Sequence, residues 1–176
     1  MHLAFKKQLT MEMTWFDELT KTPLGPLSVV VTQRGVLRIL FGRARDLDFD
    51  QAEGSPPATL YHALSQLRQY LAGERQNFDL PLDVRPATPF QAEVLEACRQ
   101  IPYGQVRTYA DLAAAVGAPV SASRAVGMVM ASNPLPLVIP CHRVVGRDGK
   151  LHGYAAPGGV ESKAWLLQLE GSRLVG

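Results

Sequence analysis

Leu135-Pro136-Leu137-Val138-Ile139-Pro140-Cys141-His142-Arg143-Val144-Val145 sets a thiol and an imidazole side by side inside an apolar run, and the rest of the chain is read outward from it. A free thiol has a pKa of about 8.5 and is a poor nucleophile at neutral pH. A base within reach, itself oriented by a third group, turns it into thiolate. Neighbouring residues on a strand point to opposite faces, so Cys141 and His142 meet only if the backbone turns here. Pro140 cannot donate to a sheet ladder, which predicts such a departure. Taken alone, the pair describes a buried strand with an inert cysteine more readily than a nucleophile.

Downstream, Val145 to Leu151 predicts a hairpin turning at Asp148-Gly149. His152 to Gly159 reads as a loop. Val160 to Glu170 reads as a helix with Trp165, Leu166 and Leu169 toward the core and Gly171 as its stop. Glu170 would oppose the dipole of that helix, so a cationic or polar partner is expected for it. Upstream, Thr88 caps a helix that opens with Pro89, Phe90 and Gln91. Phe90, Val94 and Cys98 share one of its faces, so Cys98 reads as core packing. Thr108 caps a helix from Tyr109 to Val116, and Ser121 caps another to about Ala131. Joined at Gly117-Ala118-Pro119, the two form a helix-turn-helix or an ordinary αα-hairpin. The second is small-sided (Ala122, Ser123, Ala125, Gly127, Ala131) and can approach another surface closely; Arg124 is its only basic residue.

In the first half, residues 13–16 read as a strand. Leu27–Thr32 and Val36–Phe41 read as a hairpin joined by Gln33-Arg34-Gly35. Residues 43–56 read as a charged loop. From Ala58 a helix carries Leu60, Leu64, Leu67 and Leu71 on one face and closes at Gly73. Asn77 to Leu82 alternates and, because it holds Pro81, reads as a short edge strand. Asp83 to Ala87 marks a domain boundary, giving residues 1–85 and 86–176. Nothing in the first half has catalytic spacing, and His62 reads as a surface or boundary residue. No Cys/His cluster has ligand spacing, so no metal or cofactor is expected.

At 47% hydrophobic and 19% charged, the composition is that of a globular protein. No run of about 18 apolar residues predicts a membrane span. Met1 to Lys7 lacks the apolar core of a signal peptide. Two cysteines are too few for a disulfide framework, and a nucleophilic thiol needs a reducing compartment, so the cytoplasm is expected; a monomer is expected as well. The net charge of +2 hides an asymmetry. Residues 1–85 hold ten basic and ten acidic residues, whereas residues 99–150 hold six basic against Asp111 and Asp148. A basic segment fits a phosphate backbone, or simply a solvated face.

From Pro102 to Glu170 the chain resembles the O6-alkylguanine-DNA alkyltransferases, suicide repair proteins that move an alkyl group from guanine to their own cysteine. The resemblance rests on Pro140-Cys141-His142-Arg143-Val144, supported by Ile101 to Gly104, Thr108-Tyr109, Arg124 to Gly127, Asn133-Pro134 and Gly153-Tyr154. The N-terminal half matches loosely, through Thr22 to Pro26 and the hairpin. The resemblance implies an α+β fold: a ribonuclease-H-like sheet-and-helix domain, then a winged-helix-like domain with the helix-turn-helix. It implies direct-reversal repair of double-stranded DNA carrying O6-alkylguanine, by irreversible single-turnover transfer to Cys141, with O4 of thymine open as a second source.

By the same resemblance His142 is the base, Glu170 orients it and Asn133 holds the turn below the cysteine. The helix-turn-helix enters the minor groove, with Thr108, Arg124, Ala125 and Gly127 in the matching segments. The damaged nucleotide is flipped out of the stack. Arg124 fills the gap and Tyr109 pushes the neighbouring phosphate. In the pocket Tyr109 donates to the base and the Ala155 amide approaches the oxygen. Met130 and Pro136 form walls, and the carbonyls of Cys141 and Val144 accept from the guanine amino group. Tyr154 and Lys163 stand by the loop. The 153–159 loop is longer than in many relatives, with Ala155-Ala156-Pro157 replacing a Gly/Ser-rich stretch, so pocket width is open. The alternatives are a non-catalytic alkyltransferase-like lesion binder, which would lack the cysteine, and a Cys–His hydrolase, which needs an oxyanion hole.

Overall fold

The computed structural model describes residues 13–46 and 49–172; the expectation about Met1 to Lys7 lies outside them. Three antiparallel strands open the fold: β1 (Trp15–Leu19), β2 (Leu27–Thr32) and β3 (Gly35–Phe41), in that spatial order. The first strand thus begins two residues later than the sequence suggests. In the central strand β2 every residue is buried, as its β-branched run requires. Register runs Trp15↔Val31 to Leu19↔Leu27 and Leu27↔Phe41 to Thr32↔Gly35, with a bulge at Val30/Val31. The turn is Gln33-Arg34, and Gly35 belongs to β3.

Gly35 has a reason to be glycine. A Cβ there would stand 2.4 Å from the Pro81 carbonyl oxygen, because the chain returns against the start of β3. Val36 N–H donates to Pro81 O at 2.9 Å and Asp83 N–H to Val36 O at 2.9 Å. The edge strand expected over Asn77 to Leu82 is reduced to this one bridge, Val36↔Leu82. Proline at 81 has no N–H with which to extend the ladder.

Helix α1 (Ala58–Leu71) packs on the sheet through Leu60, Ala63, Leu64, Leu67, Tyr70 and Leu71. Gly73, at φ +76°, follows its end. Helix α2 (Pro89–Arg99) starts as its sequence dictates, with Thr88 Oγ1 accepting from Gln91 N–H at 3.1 Å. Cys98 is fully buried there. Strand β4 (Arg107–Thr108) leads into α3 (Tyr109–Ala115), held by a capping box between Thr108 and Asp111. Ser121 does not cap the next helix. It lies in a 3-10 turn, Val120–Ala122, that runs directly into α4 (Ser123–Ala131), so no side-chain cap is present. The α3–α4 pair is the helix-turn-helix.

A 3-10 turn, Cys141–Arg143, feeds β5 (Val144–Val145), which pairs in parallel with β4: Arg107↔Val144 and Thr108↔Val145. The hairpin expected at Val145 to Leu151 is only a turn. Gly146 N–H donates to Lys150 O at 2.9 Å, but no second strand forms. Helix α5 (Val160–Leu169) buries Lys163, Leu166 and Leu167, with Glu170 at its C-cap; Trp165 and Leu169 are only partly covered. One apolar core runs from Trp15, Val29 and Leu67 through Val94 and Leu112 to Ile139 and Leu166, so the two halves share an interior.

Candidate active site

Cys141 sits where the chain leaves its apolar run. Ile139 O accepts from Cys141 N–H at 2.8 Å and from Asn133 Nδ2 at 2.7 Å. Asn133 Oδ1 accepts from Leu135 N–H at 3.0 Å. One amide side chain thus clamps the loop that delivers the cysteine. Within that loop Leu137 has φ +75°, a left-handed conformation in a buried non-glycine residue. Such backbone costs on the order of 1–3 kcal/mol and persists only where its surroundings hold it.

Cys141–Arg143 forms a 3-10 turn, the departure from a strand that Pro140 predicts. His142 is fully buried. Its Nε2 lies 2.8 Å from Glu170 Oε1. An ionised carboxylate only accepts, so Nε2 carries the hydrogen and Nδ1 is the bare nitrogen. Nδ1 is buried with no hydrogen-bond partner among the described residues, so thiol and imidazole are not directly bonded. Burial pushes the Cys141 thiol up, against the Asn133 amide and the Lys163 charge, which favour thiolate. Burial pulls the His142 imidazole down, against Glu170, which favours the charged form. At neutral pH the pair rests as thiol and neutral imidazole, a base poised to take a proton.

Glu170 has the cationic partner its helix position called for. Arg143 donates from Nη2 to Oε1 at 2.8 Å and from Nε to Oε2 at 2.9 Å. Its Nη1 donates to Ile101 O at 2.5 Å. Gly104 N–H adds 3.1 Å to Oε2. Burial would raise the Glu170 carboxyl, but hydrogen bonds from His142, Arg143 and Tyr70 outweigh it and hold it at about 2. Arg143 is therefore interior, not part of a basic face, and the charge excess counted over residues 99–150 shrinks by one at the surface.

The residue the sequence did not flag is Tyr70. It lies on α1 in the half without catalytic spacing, yet its hydroxyl donates to Glu170 Oε1 at 2.5 Å and lies 3.2 Å from His142 Nε2. The available sign was a tyrosine on an otherwise aliphatic buried stripe, since a buried phenol needs a partner.

Lys163 is buried, with Nζ donating to Val144 O at 2.6 Å and standing 5.9 Å from the centre of the Tyr109 ring. The Tyr154 ring lies 6.3 Å from that of His142 and 5.6 Å from Phe41, with its hydroxyl buried. Met130 and Pro136 are buried, while Ala155 is exposed on the loop. Gly127 faces the Tyr109 ring, where a Cβ would make an ordinary contact at 3.9 Å from Cε1. Arg124, Ala125 and Met128 are exposed on α4. Thr108 uses its hydroxyl oxygen and its N–H in the capping box. Among the described residues, no group of three or more His, Cys, Asp or Glu is placed to hold a metal ion.

Fold and site together define an α+β protein in which a helix-turn-helix stands beside a buried Cys–His–Glu constellation. Residues 89–172 match the 6-O-methylguanine DNA methyltransferase DNA-binding domain, and residues 16–84 match the ribonuclease-like domain of the same family. The chain is 42% identical over 154 residues to the constitutive methylated-DNA–protein-cysteine methyltransferase of Bacillus subtilis, covering 85% of this chain and 92% of that one. It is 41% identical over 153 residues to the methylated-DNA–protein-cysteine methyltransferase of Mycobacterium tuberculosis, covering 86% and 90%. The crystal structure of the M. tuberculosis O6-methylguanine methyltransferase superposes with a TM-score of 0.77 at 36% identity, covering 93% of this chain and 96% of that one. The M. tuberculosis protein in complex with DNA gives 0.75, also at 36% identity, covering 89% and 92%. The chain belongs to the 6-O-methylguanine DNA methyltransferase family. No helix among the described residues is long and apolar enough to cross a membrane.

Proposed function

We propose that this protein repairs DNA by direct reversal, moving an alkyl group from O6 of guanine in double-stranded DNA to Cys141, once per chain. The observation that carries this reading is a buried thiol beside an imidazole whose far nitrogen is tied to a carboxylate. His142 Nδ1 takes the thiol proton through a bridging water. The thiolate attacks the alkyl carbon in line; the new S–C bond forms as the C–O6 bond breaks, and its electron pair leaves with guanine. The proton is finally returned to the guanine, so the imidazole ends neutral. Tyr109 and the Ala155 amide stabilise the developing charge on the base. Met130, Pro136 and Tyr154 enclose the alkyl group. The Cys141 and Val144 carbonyls accept from the guanine amino group; Val144 O already accepts from Lys163, which leaves it one lone pair.

A base inside a duplex cannot reach a buried thiol, so the nucleotide is flipped, at a cost of a few kcal/mol. The helix-turn-helix holds the minor groove, Ala125 and Gly127 allow close approach, and Arg124 takes the vacated place. The protein works as a monomer in the reducing cytoplasm, with the module after residue 85 carrying DNA and acceptor. The test is stoichiometric. Incubated with excess O6-methylguanine duplex, the protein should accept one methyl group per chain, mapped to Cys141 by peptide mass spectrometry. Repeated turnover, or methyl on Cys98 with Cys141 free, would overturn this reading.

A further inference from the structure

One buried group that alkyl transfer does not already use reaches the site from the other half of the chain. Tyr70 comes from the sheet-and-helix half, and its hydroxyl reaches the carboxylate that orients the base. It is fully buried, and three rings fix its side chain: Phe78 at 5.2 Å, Tyr103 at 6.2 Å and His142 at 6.5 Å between centroids. Its O–H points at the same oxygen, Oε1, that accepts from His142 Nε2. Both cannot draw fully on one oxygen that Arg143 also contacts at 2.8 Å.

We infer that Tyr70 is a positioning residue for alkyl transfer: sharing Glu170 Oε1 with the imidazole, it fixes the carboxylate's orientation and limits how tightly the carboxylate holds the imidazolium. This rests on the alkyl-transfer reading above. With the tyrosine proton on Oε1, the carboxylate's charge is already partly satisfied, so the protonated base is held less firmly. The imidazole then stays neutral, and able to take the thiol proton, at lower pH. The groups facing the imidazole are Glu170, Tyr70, Tyr154, Arg143 and Lys163. Tyr70 is the only one of these contributed by the N-terminal half, so through it that half acts on the chemistry as well as on the core.

The experiment compares wild type with Tyr70→Phe on O6-methylguanine duplex, as full chains. Single use separates the two effects a variant can have. The endpoint counts competent molecules, and the first-order rate describes each one. Tyr70→Phe should keep an endpoint near one methyl per chain, react about tenfold more slowly at neutral pH, and show the rising limb of its pH–rate profile moved to higher pH. An unchanged rate and profile, with only the endpoint or melting temperature lowered, would mean that Tyr70 merely fills space. A wild-type endpoint of zero would overturn the alkyl-transfer reading, and this inference with it. A normal wild-type endpoint with an unaffected Tyr70→Phe overturns this inference alone.

Discussion

Cys141 and Cys98 are both buried thiols, and their surroundings separate them. Cys98 packs on α2 with Val94; burial pushes its thiol up, further than the nearby cations bring it down. Cys141 is followed by His142, whose Nδ1 is buried with no hydrogen-bond partner among the described residues. Cys141→Ala should abolish transfer while keeping duplex binding. Cys98→Ala should cost about 1 kcal/mol of stability and leave the endpoint at one methyl per chain. Both are read from transfer endpoints and a urea titration. Glu170→Gln breaks a buried ion pair and leaves the Arg143 guanidinium uncompensated, so unfolding free energy should fall by about 3–5 kcal/mol. A loss below about 1 kcal/mol, typical of an exposed pair, would contradict the burial described here. The Cys–His pair and Glu170 were legible in the sequence because motif and helix end mark them. Arg143 was read as surface charge, since sequence alone does not say which arginines have an interior carboxylate. Tyr70 carried a sign of burial, but its partner, 100 residues away, left no trace in the sequence.

Helix α4 is the element whose exposed face matters most. Arg124 and Met128 are one turn apart on it, and Met128 is 69% exposed, the most exposed large apolar side chain among the described residues. Methionine can wedge at a minor-groove base step. Arg124→Ala should slow repair of duplex DNA by at least about tenfold and leave reaction with the free alkylated base unchanged, because the role proposed for it lies in the stack. Met128→Glu should weaken duplex binding at every salt concentration tested, while the parent's affinity falls linearly in log–log form as salt rises. Equal losses on both substrates, or affinity flat with salt, would contradict this placement of α4. Helices announced by a capping threonine were legible in place: Thr88 and Thr108 both cap. Ser121 misled because a 3-10 turn precedes α4, and short-range turns leave little periodic trace. The 77–82 segment misled because alternation does not reveal that only one residue has a free strand edge to meet.

At the scale of the molecule, the shared core and the buried charge network make folding sensitive to acid. His142 is pulled below its usual value by burial, and Glu170 is held at about 2 from 4.5. For both, the unfolded chain binds a proton that the folded chain refuses, so their contribution is present above the unfolded values and lost as pH falls. Urea midpoints should therefore drop as pH falls below about 6.5, and drop most steeply between about 4.5 and 2. A midpoint constant across that window would contradict the network. The two family segments, residues 16–84 and 89–172, share one interior. Ile39 N–H donates to Pro134 O at 2.9 Å and Tyr70 on α1 donates to Glu170, so the first half meets both the loop before Cys141 and the C-cap of α5. Such contacts cross any boundary drawn from composition.

The near-closure of Cys141, only 7% exposed, bears on chemistry with bystanders. A chain that reacts once is lost to repair whenever a stray electrophile or oxidant reaches its sulfur. Keeping the thiol protonated and covered until a guided substrate arrives makes the site slow toward small reagents in solution. The protection and the dependence proposed for His142 are one property: a sulfur covered and held as thiol against peroxide and free alkylators is also a sulfur that needs a neighbour to remove its proton.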